Sequence, residues 1–210
     1  MQILAFQADG GGFRREPAAF LMPNTRWPVR SATRLSERGF SLVELLVTLA
    51  VAAVLMVLAV PSFRQLTLSN RLTTTANDIV ASINTARMEA IKRNGSVQLC
   101  SDSATANATG ALGTACGTSA GAVYALSGTD ATQVRAAVAG LAPPLQLNGE
   151  LKALRFRGQG QGYAVDGSSP YSGLVADICT TALEVDNHRI IKMAAGSAIV
   201  VTPSSGSCSS

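Results

Sequence analysis

An acidic side chain within an apolar run is the residue whose chemistry stands out most in this sequence. No side chain from residue 45 to residue 60 is charged, and together with residues 40–43 the run is long enough to cross a hydrocarbon core of about 30 Å as a helix. Glu44 lies inside this run. A carboxylate at membrane depth costs roughly 2.5–3.5 kcal/mol and is normally found beside a partner that neutralises it. Glu44 therefore predicts an ion-pairing site that needs a cation.

Four cysteines, Cys100, Cys116, Cys179 and Cys208, offer disulfide chemistry. All four follow the apolar run, in a part that we predict to be periplasmic, where disulfides persist. Four cysteines allow three pairings, and the sequence does not choose among them. We favour Cys100 with Cys116 and Cys179 with Cys208, because each pair closes a local loop. Zinc is the rival interpretation, but there is no close C-x-x-C pair and one histidine, so we predict no metal.

No arrangement of side chains favours an enzyme or a cofactor. His188 stands alone at a predicted turn into a strand, where we expect it to face solvent rather than to act in catalysis. Residues 158–162 alternate Gly and Gln but lack the strand–turn–helix context of a phosphate loop, so they predict a hairpin connection. Four scattered acids give only a weak indication of a calcium site: Asp166, Asp177, Glu184 and Asp186.

One long helix, from about residue 41 to residue 93, must position Glu44. Beyond the membrane run an apolar stripe recurs at spacings of three and four, which indicates a helix with one buried face. Asn94-Gly95 is a helix stop. Pro61 lacks an amide hydrogen and predicts a bend near residues 57–61. The stripe consists of Leu72, Ala76, Ile79, Ile83, Ala86 and Ala90.

After residue 95 the pattern changes to short alternating stretches separated by turn residues, which predicts an α+β fold with an antiparallel sheet on the second half of the helix. The predicted strands are 97–100, 122–126, 153–156, 163–165, 173–178, 189–193 and 198–202, with one more left open near 132–138. Residues 101–121 predict a surface loop with a mobile tip. The expected organisation is a membrane and filament-core helix at 40–61, a periplasmic half at 62–95 and a globular domain at 96–210.

Residues 1–39 are expected to be removed as a leader. They hold six of the 17 basic and three of the 13 acidic residues, so the rest of the chain keeps eleven and ten, or about +1. The basic cluster before the apolar run predicts a cytoplasmic leader and places everything after Pro61 outside the inner membrane. Met22 is an alternative start to Met1. A plain anchor and a secretory signal are the competing interpretations, although a charge inside the apolar region argues against the latter.

The hexapeptide Gly39-Phe40-Ser41-Leu42-Val43-Glu44 resembles the class III signal of type IV pilins and pseudopilins. The resemblance implies that a prepilin peptidase cuts between Gly39 and Phe40 and methylates the new amino group of Phe40. It also implies that Glu44 pairs with an N-terminal amine during assembly, and that Pro61 is the proline that bends the pilin helix. In a bundle of identical helices, the nearest cation for Glu44 is the amine of Phe40 on a neighbour.

Three further segments resemble the GspH/FimT family of minor pilins and pseudopilins: residues 70–80, 86–95 and 97–100, with Asn-Asp, Ala-Arg-x-Glu-Ala and Lys-Arg in sequence. This implies the type IV pilin fold. It also implies a low-abundance subunit that starts in membrane lipid and primes a pilus with other minor and major pilins at an inner-membrane assembly platform. A pseudopilin of type II secretion is the alternative.

DNA binding is a second alternative, because some relatives bind DNA for uptake at the pilus tip through a Gly-Arg-x-Arg motif. The matching stretch here, residues 196–199, is Gly-Ser-Ala-Ile and lacks both arginines. Lys and Arg contacts to phosphate dominate DNA affinity, and the mature chain is nearly neutral with few aromatics. DNA is therefore not favoured. The candidate patch that remains is Arg155, Arg157, Arg189 and Lys192.

Overall fold

A computed structural model describes residues 39–209 and begins with one helix of 52 residues, α1 (Leu42–Arg93). Ser41 caps its first turn, and the backbone N–H groups of Asn94 and Gly95 close its last turn on the carbonyls of Ile91 and Ala90. Asn94 adopts a left-handed conformation (φ 45°), which the sequence stop predicted. The predicted leader falls outside the described residues, apart from Gly39. Pro61 lies inside α1, and the predicted bend there stays a prediction.

Nine strands follow α1 and form two antiparallel sheets. Sheet A has the order β3-β2-β1-β5-β6, and sheet B has the order β4-β7-β8-β9. The strands are β1 (Val97–Leu99), β2 (Val123–Ser127), β3 (Asp130–Arg135), β4 (Gln146–Leu147), β5 (Leu154–Phe156), β6 (Gly162–Ala164), β7 (Gly173–Cys179), β8 (His188–Ala194) and β9 (Ala198–Ser204). The predicted α+β architecture is confirmed.

The core forms where the second half of α1 packs on both sheets. All six residues of the predicted stripe are buried, and they contact apolar side chains from sheet A, such as Leu99 and Phe156, and from sheet B, such as Ile178 and Ile191. Burying a leucine or isoleucine side chain, as at Leu72, Ile79 and Ile83, contributes roughly 1.5–3 kcal/mol. The stripe therefore fastens α1 to the sheets, and the register of the stripe sets which face of α1 is left for other contacts.

The polar face of α1 makes ion pairs of its own. Glu89 accepts a hydrogen bond from Nε of Arg93, with 2.8 Å between Nε and Oε2, and lies 3.5 Å from Nζ of Lys92. The Arg93 hydrogen bond holds the pKa of Glu89 below its usual value. Both cations stand in the last turn, where positive charge also favours the helix dipole.

The segment 101–121 is more ordered than the loop that the sequence predicts. It contains a 3₁₀ turn (Thr105–Asn107) and a short helix, α2 (Ala111–Cys116). The amide of Asn107 is buried, donates to the carbonyls of Ser101, Ser103 and Gly117, and accepts from the N–H of Ser101 at 2.8 Å. The Asn107 side chain thus gives this segment hydrogen bonds in place of those that a longer helix or strand would form between backbone groups. The 158–162 stretch does connect two strands, β5 and β6, as a hairpin.

Candidate assembly site

The start of α1 presents Glu44 without a counter-ion among the residues that the structure describes. Oγ of Ser41 accepts a hydrogen bond from the backbone N–H of Glu44 at 3.1 Å, so Ser41 caps α1 three residues before the acid. Among residues 39–209 no basic side chain pairs with Glu44. The next cation along α1 is Arg64, about 30 Å away at 1.5 Å per residue. Within the described residues Glu44 is therefore an acid with no ion-pair partner, exposed in an apolar segment.

The first half of α1 is apolar, and none of its described side chains is buried. By length and composition it can cross a membrane, and unlike the core helix of a soluble protein it is not buried inside the fold. Phe40, just before the helix, is 78% exposed. An exposed apolar surface of this size requires lipid or protein to cover it. The large exposed side chains are Leu42, Val43, Leu45, Leu46, Val47, Leu49, Val51, Val54, Leu55, Met56, Val57, Val60, Phe63 and Leu66.

Two disulfides lock the globular domain, with the pairing that we favoured from the sequence. Cys100 joins Cys116 and ties the end of β1 to α2, while Cys179 joins Cys208 and ties the C-terminal tail to β7. The tail is also held by hydrogen bonds, from Asp186 N–H to Ser205 Oγ and between Asn187 and Gly206. The second disulfide and these hydrogen bonds together fix the C-terminal tail against sheet B.

His188 does not face solvent, and the prediction that it would is wrong. Its side chain is buried, with Nδ1 3.0 Å from both carboxylate oxygens of Asp177 on the neighbouring strand. Asp177 also accepts a hydrogen bond from Asn148 Nδ2 at 2.8 Å. The tail lies over this cluster, since a side chain on Gly206 would come within 3.4 Å of the outer ring nitrogen, Nε2. The pair stabilises the outer face of sheet B beneath the tail.

The structure does not strengthen the weak indication of a calcium site. Asp177 pairs with His188, and Asp166, Glu184 and Asp186 do not join it in a cluster. Within the described part of the chain, no group of three or more His, Cys, Asp or Glu residues could hold a metal ion.

The four residues of the candidate DNA patch do not form one surface. Nη2 of Arg189 donates to Ser69 Oγ of α1 at 3.2 Å, so Arg189 faces the helix, whereas Lys192 lies on the opposite face of β8. Arg155 donates to Gln98 Oε1 at 2.9 Å, and the guanidinium of Arg157 lies 4.2 Å from the centre of the Tyr163 ring. Three of the four cations thus already have partners within the domain.

Comparison with known proteins gives two family matches. Residues 75–204 match the family described as "Type II transport protein GspH", and residues 34–60 match the "Prokaryotic N-terminal methylation motif". The first match covers more than half of the chain and spans the buried half of α1 with both sheets. The second spans Gly39, Phe40 and Glu44. Neither a search of curated proteins nor a search of solved structures finds a significant match.

Proposed function

Because the chain belongs to the GspH family of pilin-like structural subunits and carries an N-terminal methylation motif, we propose that it is a minor pilin that helps to prime the assembly of a type IV pilus. The globular domain would sit in the periplasm, and α1 would wait in the inner membrane until the assembly platform extracts it. Processing by a prepilin peptidase at Gly39–Phe40 would precede assembly.

The observation that carries this proposal is the lone carboxylate of Glu44. Its own chain supplies no cation along about 30 Å of helix, and lipid supplies none in the hydrocarbon core. Cleavage after Gly39 would create a positive amine at Phe40, four residues before Glu44. When a second processed helix packs beside the first, that amine comes within reach of Glu44 on its neighbour. Assembly then removes the cost of an unpaired charge at membrane depth.

The exposed half of α1 supports the same proposal. The apolar side chains of this half can be covered by lipid before assembly and by the equivalent helices of other subunits afterwards, with little change in their apolar surroundings. The half that packs on the sheets needs no such partner, because its stripe is buried within the domain. Pro61, near the junction of the two halves, would let the exposed half change direction between the bilayer and the filament.

A pseudopilin of type II secretion is the second candidate, and the matching family's description as a type II transport protein favours it. Both candidates use the same helix and the same ion pair. Deletion of the gene separates them: loss of surface pili supports the pilus role, while loss of protein secretion with normal piliation supports the secretion role.

The first test concerns processing of the protein isolated from membranes. We expect intact mass and N-terminal sequencing to show a chain that begins at N-methylated Phe40. An uncut chain, or cleavage near Ala59, would instead identify an anchor or a secretory signal and overturn the proposal.

The second test concerns Glu44 itself. We expect Glu44→Ala to be processed normally but to appear in sheared filaments at about one tenth of the wild-type amount or less, since 1.4 kcal/mol of lost pairing corresponds to a factor of ten. Glu150→Ala, which removes an exposed acid from the globular domain, is the matched control and should assemble normally. Equal incorporation of both variants would contradict the role of Glu44.

A further inference from the structure

Two open sheets have four edges, and an unprotected edge offers unpaired N–H and C=O groups to any extended chain. Three of the four edges in this protein are protected. At β6, Gly162 exchanges backbone hydrogen bonds with Gly196 and Tyr171, and Tyr163 bridges to Pro170. That edge is covered by the protein's own chain.

The edges at β4 and β3 are protected in other ways. β4 is two residues long and follows Pro143 and Pro144, so it offers little backbone to a partner. β3 is longer, but it carries Asp130 and Arg135, and Arg135 lies 3.9 Å from Asp78 of α1. Charged side chains and short length are two of the devices by which natural sheets avoid pairing with other chains.

The fourth edge, β9, has none of these protections over most of its length. It is seven residues long and pairs with β8 on one side, and no strand among residues 39–209 covers its other side. No charged residue follows Lys192 in the sequence. Val200 and Val201, on opposite faces of the strand, are 54% and 37% exposed. Pro203 closes the far end of the strand and leaves residues 198–202 open.

We propose that the free edge of β9 is a docking site for a strand of another, non-identical subunit of the same filament, which extends sheet B by main-chain pairing. The docking strand should be uncharged and carry small or β-branched side chains on both faces, because β9 presents apolar groups on both. This inference rests on the filament role proposed above. It adds the surface through which the globular domain would contact its neighbour.

The direction of α1 argues against a second copy of this chain as the partner. Arg189, early in β8, contacts Ser69 of α1, and Arg87 of α1 donates to the carbonyl of Ser197, beyond the end of β8. These contacts show that α1 runs along β8 in the same direction and therefore opposite to β9. A symmetric pair of β9 strands is antiparallel. Such a pair would point the two membrane-spanning halves of α1 in opposite directions, so both could not enter one membrane.

A photocrosslinking experiment on the full-length chain in the producing cells tests the site. Val200 is replaced by benzoylphenylalanine, and Gln133, an exposed position on the protected edge strand β3, is replaced in the same way as the control. We expect a light-dependent adduct from position 200, linked to a residue in an edge strand of a different protein that has its own N-terminal methylation motif. Position 133 should give no such adduct. An adduct between two copies of this chain, or none, overturns the proposal.

A pair of charge substitutions gives an independent test. Val200→Glu places a carboxylate opposite Lys192 on β8, so the fold can accommodate it while the edge becomes charged. We expect the amount of the partner protein, as identified by crosslinking, that co-isolates with Val200→Glu to fall about tenfold. No such fall is expected for Gln133→Glu. Equal co-isolation from the two variants contradicts docking at β9. Unchanged urea unfolding of Val200→Glu confirms that folding is not the cause.

The two proposals fail in different ways. If the chain is cleaved, methylated and assembled but gives no adduct from position 200, the docking site is overturned and the filament role stands. If the chain retains its leader and never enters a filament, both the filament role and the docking site at β9 are overturned.

Discussion

At the scale of single residues, Asp177 organises the polar cluster on the outer face of sheet B. It accepts hydrogen bonds from Asn148 at 2.8 Å and contacts Nδ1 of His188 at 3.0 Å, and all three side chains are wholly or partly buried. Buried polar groups are stable where they are paired and costly where a partner is lost. The cluster therefore depends more on Asp177, which contacts both other side chains, than on Asn148 or His188.

Replacing Asp177 should destabilise the globular domain. Asp177→Ala leaves the amide of Asn148 and the ring of His188 without this partner, and we expect the free energy of unfolding to fall by about 1–3 kcal/mol. Urea unfolding of the region after Arg64 measures the change. Glu184→Ala, which removes an exposed acid of the same sheet domain, should change stability by less than about 0.5 kcal/mol. Equal stability of the two variants would show that the cluster does not support the fold.

Glu44 and His188 show what sequence can and cannot predict for a single residue. Glu44 stands out because its surroundings are its own sequence neighbours, all apolar, so the unusual charge is visible without a fold. The environment of His188 is set by Asp177, eleven residues earlier on the adjacent strand, and by Gly206 of the tail. From sequence alone, a histidine beside a turn is predicted to be exposed. Its burial becomes apparent only from the register of β7 and β8 and from the path of the C-terminal tail.

At the scale of elements, the two disulfides act on segments of different character. Cys100–Cys116 closes a loop that is also anchored by the buried amide of Asn107. Cys179–Cys208 closes a longer loop and holds a tail that lies over His188. Loss of the second disulfide would leave the tail held only by hydrogen bonds of Ser205 and Gly206, so we expect it to expose His188 more often. Loss of the first would leave a segment that the buried amide of Asn107 still holds.

Paired substitutions separate these roles. We expect Cys100→Ser with Cys116→Ser, and likewise Cys179→Ser with Cys208→Ser, each to cost about 3–4 kcal/mol of unfolding free energy in the chain-entropy account. Loss of Cys179–Cys208 alone should make His188 reactive toward diethyl pyrocarbonate in the native state. Each double variant is the control for the other. Equal His188 reactivity in both would show that the tail does not depend on its disulfide.

The elements themselves differ in how well sequence predicts them. The stripe of α1 has six members, and β2, β7, β8 and β9 are five to seven residues long, so local patterns are enough to identify them, whereas the sequence leaves β3 open near 132–138. β4 and α2 are two and six residues long, which is too short for a period to show. Their positions depend on pairing with β7 and on the disulfide at Cys116, both of which are long-range contacts.

At the scale of the whole molecule, the chain divides into a half that completes its own core and a half that does not. The sheets and the second half of α1 cover each other, while the first half of α1 and the edge of β9 are left exposed. These two exposed surfaces lie in different parts of the subunit, one in the apolar half of α1 and one in the globular domain. A subunit of this kind is suited to contact its neighbours at both levels of a filament.

The whole-molecule charge distribution leads to the last prediction, which concerns DNA. Arg189 is bonded to α1, Arg155 to Gln98, and Lys192 points away from the face that Arg189 occupies. Residues 40–210 carry a net charge of about +1. Affinity for duplex DNA falls with salt in proportion to the number of phosphates contacted, with a slope of about −0.9 for each in a plot of log affinity against log salt. Because the four candidate cations lie on different faces and three of them are already partnered within the domain, they can contact few phosphates at once.

We therefore expect the region after Arg64 to cause no salt-sensitive retardation of labelled duplex DNA at micromolar protein. Lys192→Ala should give the same result as the unmodified domain, since removing one isolated cation changes little when no patch exists. A retarded band that weakens steeply as salt rises, and weakens further in Lys192→Ala, would mean that cations from separate faces act together on DNA. In that case the tip-binding alternative would replace the assembly role as the better account of the globular domain.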